Sequence, residues 1–186
     1  MKTLAAALIF AALIAACADG GRPGVVPRPR AYPRPALTGG GIRIHTVEGI
    51  KIALDSAAAT TTGADGALTA VYAPEGATLY LSVRRGLRGS ALAEQLANRR
   101  ERMALNLGGA TGRTDTFRDS TGYNCLINRA LDAGVPTPVQ LMAWNDSLGT
   151  LVWGAFVWHA APTNTDSVAP VANALYDKAF VILNNL

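Results

Sequence analysis

The sequence VQLMAWNDSLGTLVWGAFVW, residues 139–158, decides the fold of this chain. Its two arms, 139–144 and 150–158, are rich in Val, Leu and Trp, residue types that favour β-strands. The polar segment NDSLG at 145–149 is typical of a hairpin loop. The stretch therefore predicts two antiparallel strands, and the residues on either side are assigned around them.

The residues from 42 to 83 predict further strands. Ile42–Ile44 and Ile50–Leu54 alternate with a period of two, as half-buried strands do. Leu68–Ala73 and Thr78–Val83 flank a Pro-Glu-Gly turn and predict a second hairpin. Thr60–Gly66 is polar and ends in Asp-Gly, so it is assigned to a loop and turn.

The segment Tyr123–Leu131 permits two interpretations. Its apolar residues from Leu126 to Leu131 fit a helical face, whereas the alternation of Tyr123, Cys125 and Ile127 fits a strand. We favour the strand, because the hairpin that follows supplies antiparallel partners for it.

The first of two predicted helices covers residues 90–106. Ser90 is assigned as its N-cap, and Gly108-Gly109 closes it. Its sheet-facing stripe is predicted from Leu92, Leu96, Arg99 and Met103, widened by Ala93, Ala97, Ala104 and Leu107.

The second predicted helix covers residues 166–184. Thr165, Asp166 or Ser167 is assigned as its cap, and Pro170 is tolerated because it falls in the first turn. Val171, Leu175 and Ile182 are predicted to share the side that packs on the sheet.

Strands, a helix, more antiparallel strands and a terminal helix define one α+β domain over residues 42–186, an antiparallel β-sheet with two helices packed on it. This order of elements resembles the Mog1/PsbP-like fold. The resemblance implies a non-catalytic accessory or binding protein and assigns no site residues.

The amino-terminal residues carry a second resemblance. Lys2 leads into an apolar run that ends Ile14-Ala15-Ala16-Cys17, which is similar to the lipobox of bacterial lipoproteins. The resemblance implies a signal peptide at 1–16 and a lipid anchor on Cys17. Because Ala18 rather than Asp follows the cysteine, it also implies the outer membrane in a diderm source, facing the periplasm or the surface.

Two alternatives to a lipid anchor stay open from the residues. A secretory signal cleaved after Ala18 fits the same charged start and apolar stretch. A transmembrane helix fits poorly, because the run from Leu4 to Ala16 spans roughly 20 Å of a hydrocarbon core about 30 Å thick.

Residues 17–41 read as a linker rich in Pro, Arg and Gly. Its prolines favour an extended spacer of about 45 Å, which is either inert or in contact with anionic lipid or wall polymer. Four arginines against Asp19 give this linker the whole net positive charge of the mature chain, whereas residues 42–186 hold 12 cations and 12 anions. A nucleic-acid partner is therefore not expected, since it needs a basic folded face.

Cys125 and His159 are the candidate catalytic residues. A thiolate nucleophile needs a base within hydrogen-bonding reach, and envelope hydrolases of the NlpC/P60 class use such a pair. Here the cysteine lies in Tyr-Asn-Cys-Leu-Ile without that class's flanking motif. A cysteine among apolar residues is more often part of the core. His45 and His159 lie in no cluster with metal-ligand spacing, so neither a metal nor another cofactor is predicted.

The remaining candidates for a binding surface are two sets of charged residues and the tryptophans. Arg84, Arg85, Arg88, Arg99, Arg100 and Arg102 form either an anion-binding face or an ordinary charged surface. Thr111–Gly122 is assigned to a polar connection with a short strand near Phe117, and its alternating charges predict self-pairing rather than a binding loop. Trp144, Trp153 and Trp158 are predicted to pack in the core or across strands, the alternative being an exposed platform for a sugar or a protein.

The sequence therefore predicts a membrane-anchored, non-catalytic binding or accessory module of the cell envelope. Its expected contacts are the membrane, through the lipid on Cys17, and an envelope protein or anionic polymer. The alternatives are a cysteine-dependent wall hydrolase that uses Cys125 and His159, and an envelope immunity or inhibitor-type protein.

Overall fold

The computed structural model describes residues 41–160, 162–163 and 165–186, with the backbone alone at residues 165–168. The strands are β1 (Ile42–Val47), β2 (Ile50–Asp55), β3 (Ala59–Thr62), β4 (Ala67–Tyr72), β5 (Ala77–Arg84), β6 (Gly112–Arg118), β7 (Asn124–Ala130), β8 (Val139–Asn145) and β9 (Thr150–Trp158). The helices are α1 (Ser90–Leu107) and α2 (Thr165–Leu183).

Seven strands form one antiparallel sheet in the order β3-β4-β5-β9-β8-β7-β6, and β1 and β2 form a separate hairpin. The predicted hairpin at 139–158 lies in the middle of this sheet, where Met142 pairs with Trp153 and Trp144 with Leu151. The predicted α+β class, an antiparallel sheet with two helices packed on it, is confirmed.

The two helices lie on opposite faces of the sheet. On the α2 face, helix α2 and strand β2 cover one large apolar cluster, which includes Leu79, Ile127 and Phe156. On the α1 face, Leu92, Leu96 and Met103 of helix α1 cover a smaller cluster around Met142 and Leu151. The sheet therefore has one fully packed face and one face that a single helix covers in part.

A buried ionic cluster holds α2 against the α2 face. Lys178 Nζ lies 2.8 Å from Asp55 Oδ2 at the end of β2 and 3.3 Å from Glu75 Oε1 in the β4–β5 turn. The three side chains are 12%, 11% and 4% exposed, and the ammonium also lies 5.1 Å from the centre of the Tyr72 ring. The lysine thus connects three separate elements.

Burial and negative charge both act on the Tyr72 hydroxyl in this cluster. Desolvation raises the pKa of Tyr72, and the carboxylates of Asp55 and Glu75 raise it further. The phenol therefore stays protonated at neutral pH and contributes its ring, which packs at 5.6 Å against Phe156.

Most predicted strands are confirmed, including 42–44, 50–54 and the hairpin at 68–83. The choice of strand for 123–131 is also confirmed, because β7 pairs with β6 and with β8. The assignment of 60–66 to a loop was wrong in part, since Ala59–Thr62 pairs with β4 as an edge strand. The strand near Phe117 is longer than predicted and covers 112–118.

The ends of α1 correct one prediction and confirm another. Ser90 is not the N-cap; Gly89 occupies that position with φ 54°, and no side chain caps the helix. Gly108 closes the helix in the left-handed conformation, and its N–H donates to the carbonyl of Leu105. The alanines predicted to widen the apolar stripe, Ala93, Ala97 and Ala104, are exposed, so α1 contacts the sheet along a narrow line.

Several predictions concern residues that the structure does not describe. The signal peptide at 1–16, the linker at 17–41 except Gly41, and the side chains of Thr165, Asp166 and Ser167 are among those residues.

The position of Pro170 differs from the prediction. It is the sixth residue of α2 and lies in the second turn rather than the first. Within the described residues, no helix has the length and apolarity needed to cross a membrane.

We predict that Lys178→Met lowers the free energy of unfolding by about 3 kcal/mol, because two largely buried carboxylates lose their cation. Urea titration monitored by circular dichroism measures this change. Arg113→Gln is the control, since it breaks the exposed pair of Arg113 with Asp115 and should cost less than about 1 kcal/mol. Equal losses for the two variants would contradict the prediction.

Candidate functional site

A groove lies on the α1 face between helix α1 and the strands that it leaves uncovered. We call it the α1 groove. Its volume is about 640 Å³, within the range of roughly 300–1,000 Å³ that encloses a small ligand. Its lining includes Tyr80, Ser82, Trp153 and Ala155 from the sheet and Asn98, Arg99, Glu101, Arg102, Met103 and Asn106 from α1.

Strand alternation decides which side chains form the floor of the groove. In β5, Leu79, Leu81 and Val83 point to the α2 face and are buried, so Tyr80, Ser82 and Arg84 point to the α1 face. Trp153 and Ala155 of β9 lie directly opposite Ser82 and Tyr80. Tyr80 is 55% exposed although it stands on a central strand, because no element of the described chain covers it.

Gln140 of β8 fixes the wall of the groove. Its side chain is buried; Nε2 donates to the Met103 carbonyl at 3.0 Å, and Oε1 accepts from Asn106 Nδ2 at 3.0 Å. One amide therefore ties the last turns of α1 to the middle of the sheet. Since the amide nitrogen and the amide oxygen each make a hydrogen bond to α1, the role of Gln140 is to position that helix.

The entry to α1 is fixed by the loop between β8 and β9. The N–H of Leu87 donates to the Gly149 carbonyl at 2.9 Å. A Cβ at position 149 would lie 2.5 Å from the Leu87 carbonyl oxygen, so only glycine permits this approach. Main-chain contacts thus hold the hairpin loop against the segment that leads into α1.

Arg99 lines the groove from α1. Its guanidinium carbon lies 4.2 Å from the centre of the Trp153 ring, a cation–π contact. Burial lowers the pKa of Arg99, and the positive charges of Arg102 and Arg84 lower it further. The Nε atom of Arg99 is buried without a hydrogen-bond partner in the described structure.

The predicted arginine cluster does not stay together. Arg99 and Arg102 line the groove, Arg84 is near enough to lower the pKa of Arg99, and within the described residues no ion pair neutralises any of the three. Arg85 instead donates to the Glu48 carbonyl at 3.2 Å, and Arg100 lies 5.3 Å from the ring of Trp144. The structure thus places two of the six arginines in the lining of the groove.

The tryptophans pack, but not against one another. Trp144 and Trp153 are partly buried beneath α1, each under one of its arginines. Trp158 packs against the large cluster of the α2 face. The prediction that the tryptophans pack in the core or across strands is therefore correct, and Trp144 and Trp153 each also contact an arginine of α1.

Cys125 and His159 are not brought together. Cys125 lies opposite Ala143, which lies opposite Val152 of β9, whereas His159 follows the far end of that strand. At about 3.3 Å per residue, the two are roughly 20 Å or more apart. The Nε2 atom of His159 hydrogen-bonds instead with Thr78 Oγ1 at 2.9 Å.

The environment of Cys125 is that of a core residue. It is 2% exposed, and its Sγ contacts the carbonyl oxygens of Tyr123 and Leu183 at 3.7 and 3.8 Å. Burial, followed by the negative charge of Asp119, raises the pKa of this thiol to about 12. The thiolate that nucleophilic catalysis requires is therefore absent at neutral pH.

The other sequence candidates do not form sites. His45 lies in β1, and no group of three or more His, Cys, Asp or Glu side chains in the described part of the chain is arranged to hold a metal ion. Arg113 pairs with Asp115 at 3.2 Å, as predicted for self-pairing. Asp119 accepts hydrogen bonds from the N–H groups of Thr121 and Tyr123 and so shapes the turn before β7.

Sequence reasoning missed Tyr80, Gln140 and Asn106 as parts of a site. The alternation of β5 contains a signal for Tyr80, since a tyrosine between buried leucines must occupy the opposite face. No comparable signal exists for Gln140, because its partners in α1 are more than thirty residues away.

The arrangement is suited to binding rather than to acid–base chemistry. Arginine guanidinium groups donate in a planar fork that matches carboxylate and phosphate oxygens. An anion in the groove would relieve the repulsion between Arg99 and Arg102.

We predict that Cys125 resists alkylation by iodoacetamide at pH 8 in the native protein. The test uses Cys17→Ser, which leaves Cys125 as the only thiol, and intact mass spectrometry measures the adduct. The same protein in guanidinium chloride should react fully, because unfolding removes the burial that holds the thiol protonated. Rapid alkylation of the native protein would contradict the burial described above.

Comparison with known proteins assigns no family: no protein-family model matches the chain, and no curated protein matches it either.

Proposed function

We propose that this protein is a lipid-anchored binding module of the bacterial cell envelope and that the α1 groove is its binding site. The observation that carries the binding role is the groove itself, a concavity of about 640 Å³ in which Arg99 and Arg102 line the wall. Nothing in the described structure neutralises these charges by an ion pair.

The buried thiol of Cys125 and its separation from His159 argue for binding over hydrolysis. No observation favours the hydrolase alternative. An immunity or inhibitor-type role uses the same kind of surface with a protein as its target, and the second experiment below separates the two.

The anchor rests on the Ile14-Ala15-Ala16-Cys17 motif. Each buried methylene of an acyl chain contributes about 0.8 kcal/mol, so two or three chains hold a protein durably at a bilayer. The linker at 17–41 then keeps the domain near that surface, at the outer membrane if the source is diderm. The order of elements, with helices on both faces of the sheet, supports a Mog1/PsbP-like fold as part of the same proposal.

We predict that wild-type protein incorporates labelled palmitate in cells and that Cys17→Ser abolishes the label, because the thiol is the acylated atom. Cys125→Ser is the matched control and should retain the label. A mature protein that begins at Asp19 without added lipid would refute the anchor and leave an exported protein.

We predict that a photo-cross-linking amino acid at position 80 captures a specific envelope component in intact cells, because Tyr80 stands exposed in the groove. The control carries the same amino acid at position 46, an exposed residue of β1. Mass spectrometry identifies the adducts. Identical adducts at both positions would refute the groove as the binding site, and capture of one secreted protein alone would favour the inhibitor-type alternative.

A further inference from the structure

The walls and floor of the α1 groove differ in chemistry. Arg99 and Arg102 lie along the helix side, and Arg84 is close enough to Arg99 to affect its pKa. Across from them, Tyr80, Trp153 and Ala155 present rings and a methyl group on the sheet side. Glu101 also lines the helix side, and its carboxylate forms no ion pair with either arginine in the described structure, so the helix side keeps one net positive charge. A ligand with a negative group on one side and an apolar surface on the other is complementary to this lining.

The backbone of the floor is not available for recognition. Strand β5 pairs with β4 and β9, and β9 pairs with β5 and β8. Every strand edge beneath the groove is already paired, so a peptide cannot add a strand there. Recognition has to come from side chains alone.

The side chains with free polar atoms suit a ligand rich in hydroxyl groups. Asn98 Oδ1 accepts from Arg102 Nε at 3.0 Å, which orients that guanidinium and leaves the Asn98 amide nitrogen as a donor. The hydroxyls of Tyr80 and Ser82 both donate and accept. A sugar ring combines hydroxyl groups with an apolar face of C–H bonds, which can lie against an exposed tyrosine ring.

We infer that the α1 groove binds a short anionic sugar chain, with Arg99 and Arg102 contacting its carboxylate or phosphate and Tyr80 contacting a sugar ring. This inference rests on the binding role proposed above and names the class of ligand. A carboxylate and a phosphate present the same oxygen chemistry to a guanidinium group, so the test separates them.

The test uses the full-length chain in detergent and isothermal titration calorimetry. Trigalacturonate provides a carboxylated sugar, glucose 6-phosphate a phosphorylated one, and maltotriose and glucose their neutral counterparts. We expect at least one anionic sugar to bind about tenfold or more tightly than its neutral counterpart, and the tighter of the two identifies the anion. Tryptophan fluorescence should change on binding, because a ligand that contacts Arg99 alters the surroundings of Trp153.

Three variants locate the site. Arg102→Gln should weaken binding about tenfold or more, since it removes a charge-assisted hydrogen bond, and Tyr80→Ala should weaken the anionic and neutral sugars alike. Arg43→Gln is the control, because it removes the same charge from an exposed position of β1 and should change affinity less than about twofold. All three positions are exposed, and equal urea midpoints will show that the variants fold.

Other outcomes overturn the inference in distinct ways. Equal binding of inorganic phosphate or polyglutamate would show a general anion site, and equal losses for Arg102→Gln and Arg43→Gln would place binding elsewhere. In one such outcome, the cross-linker at position 80 captures a specific component in cells while no anionic sugar binds in the calorimeter. That result refutes the ligand class and leaves the proposed binding role standing. If both experiments fail, the binding role fails with the ligand class.

Discussion

The width of the sheet is the constraint on which the rest of this structure depends. Seven strands at about 4.8 Å spacing span roughly 30 Å, whereas one helix with its side chains is about 10–12 Å wide. No single helix can cover such a face. On the α2 face the β1–β2 hairpin lies beside α2 and completes the cover. On the α1 face no described element stands beside α1, and the groove is the uncovered remainder.

The narrow packing of α1 explains the polar contacts around it. Three buried apolar side chains, Leu92, Leu96 and Met103, leave little apolar area to stabilise the helix on the sheet. Gln140 and the two arginine–tryptophan contacts supply additional attachment. A consequence is that Arg99 serves the fold and the groove together: its contact with Trp153 holds α1 in place and also brings positive charge to the surface where a ligand would lie.

The sequence was sufficient for elements whose pattern is local. The hairpin at 139–158, the two helices and strand β7 follow from periodicity and from turn residues. The edge strands were harder, because β3 is a short run of Ala and Thr and β6 carries Arg113, Asp115 and Arg118. Polar residues of this kind protect a sheet edge from pairing with other chains, and the same polarity makes the strand resemble a loop in the sequence.

Of the groove, only the arginines were identified from the sequence as candidates for an anion-binding face. Which of them converge depends on the face that each strand residue occupies and on the placement of α1, and neither is encoded within a short window. The predicted N-cap of α1 was wrong for a related reason. Ser90 has a side chain suited to capping, but the helix already begins at Gly89, whose φ of 54° is a conformation that favours glycine.

The contact between Leu87 and Gly149 has a consequence for how changes in this chain would alter the groove. Because this junction is made of main-chain atoms only, its spacing does not adjust to a change of side chain in the way that an apolar contact does. Lengthening or shortening the loop at 145–149 would instead swing the whole helix over the sheet and open or narrow the cleft beside it. The length of this loop, more than the apolar residues beneath the helix, should therefore set the width of the cleft.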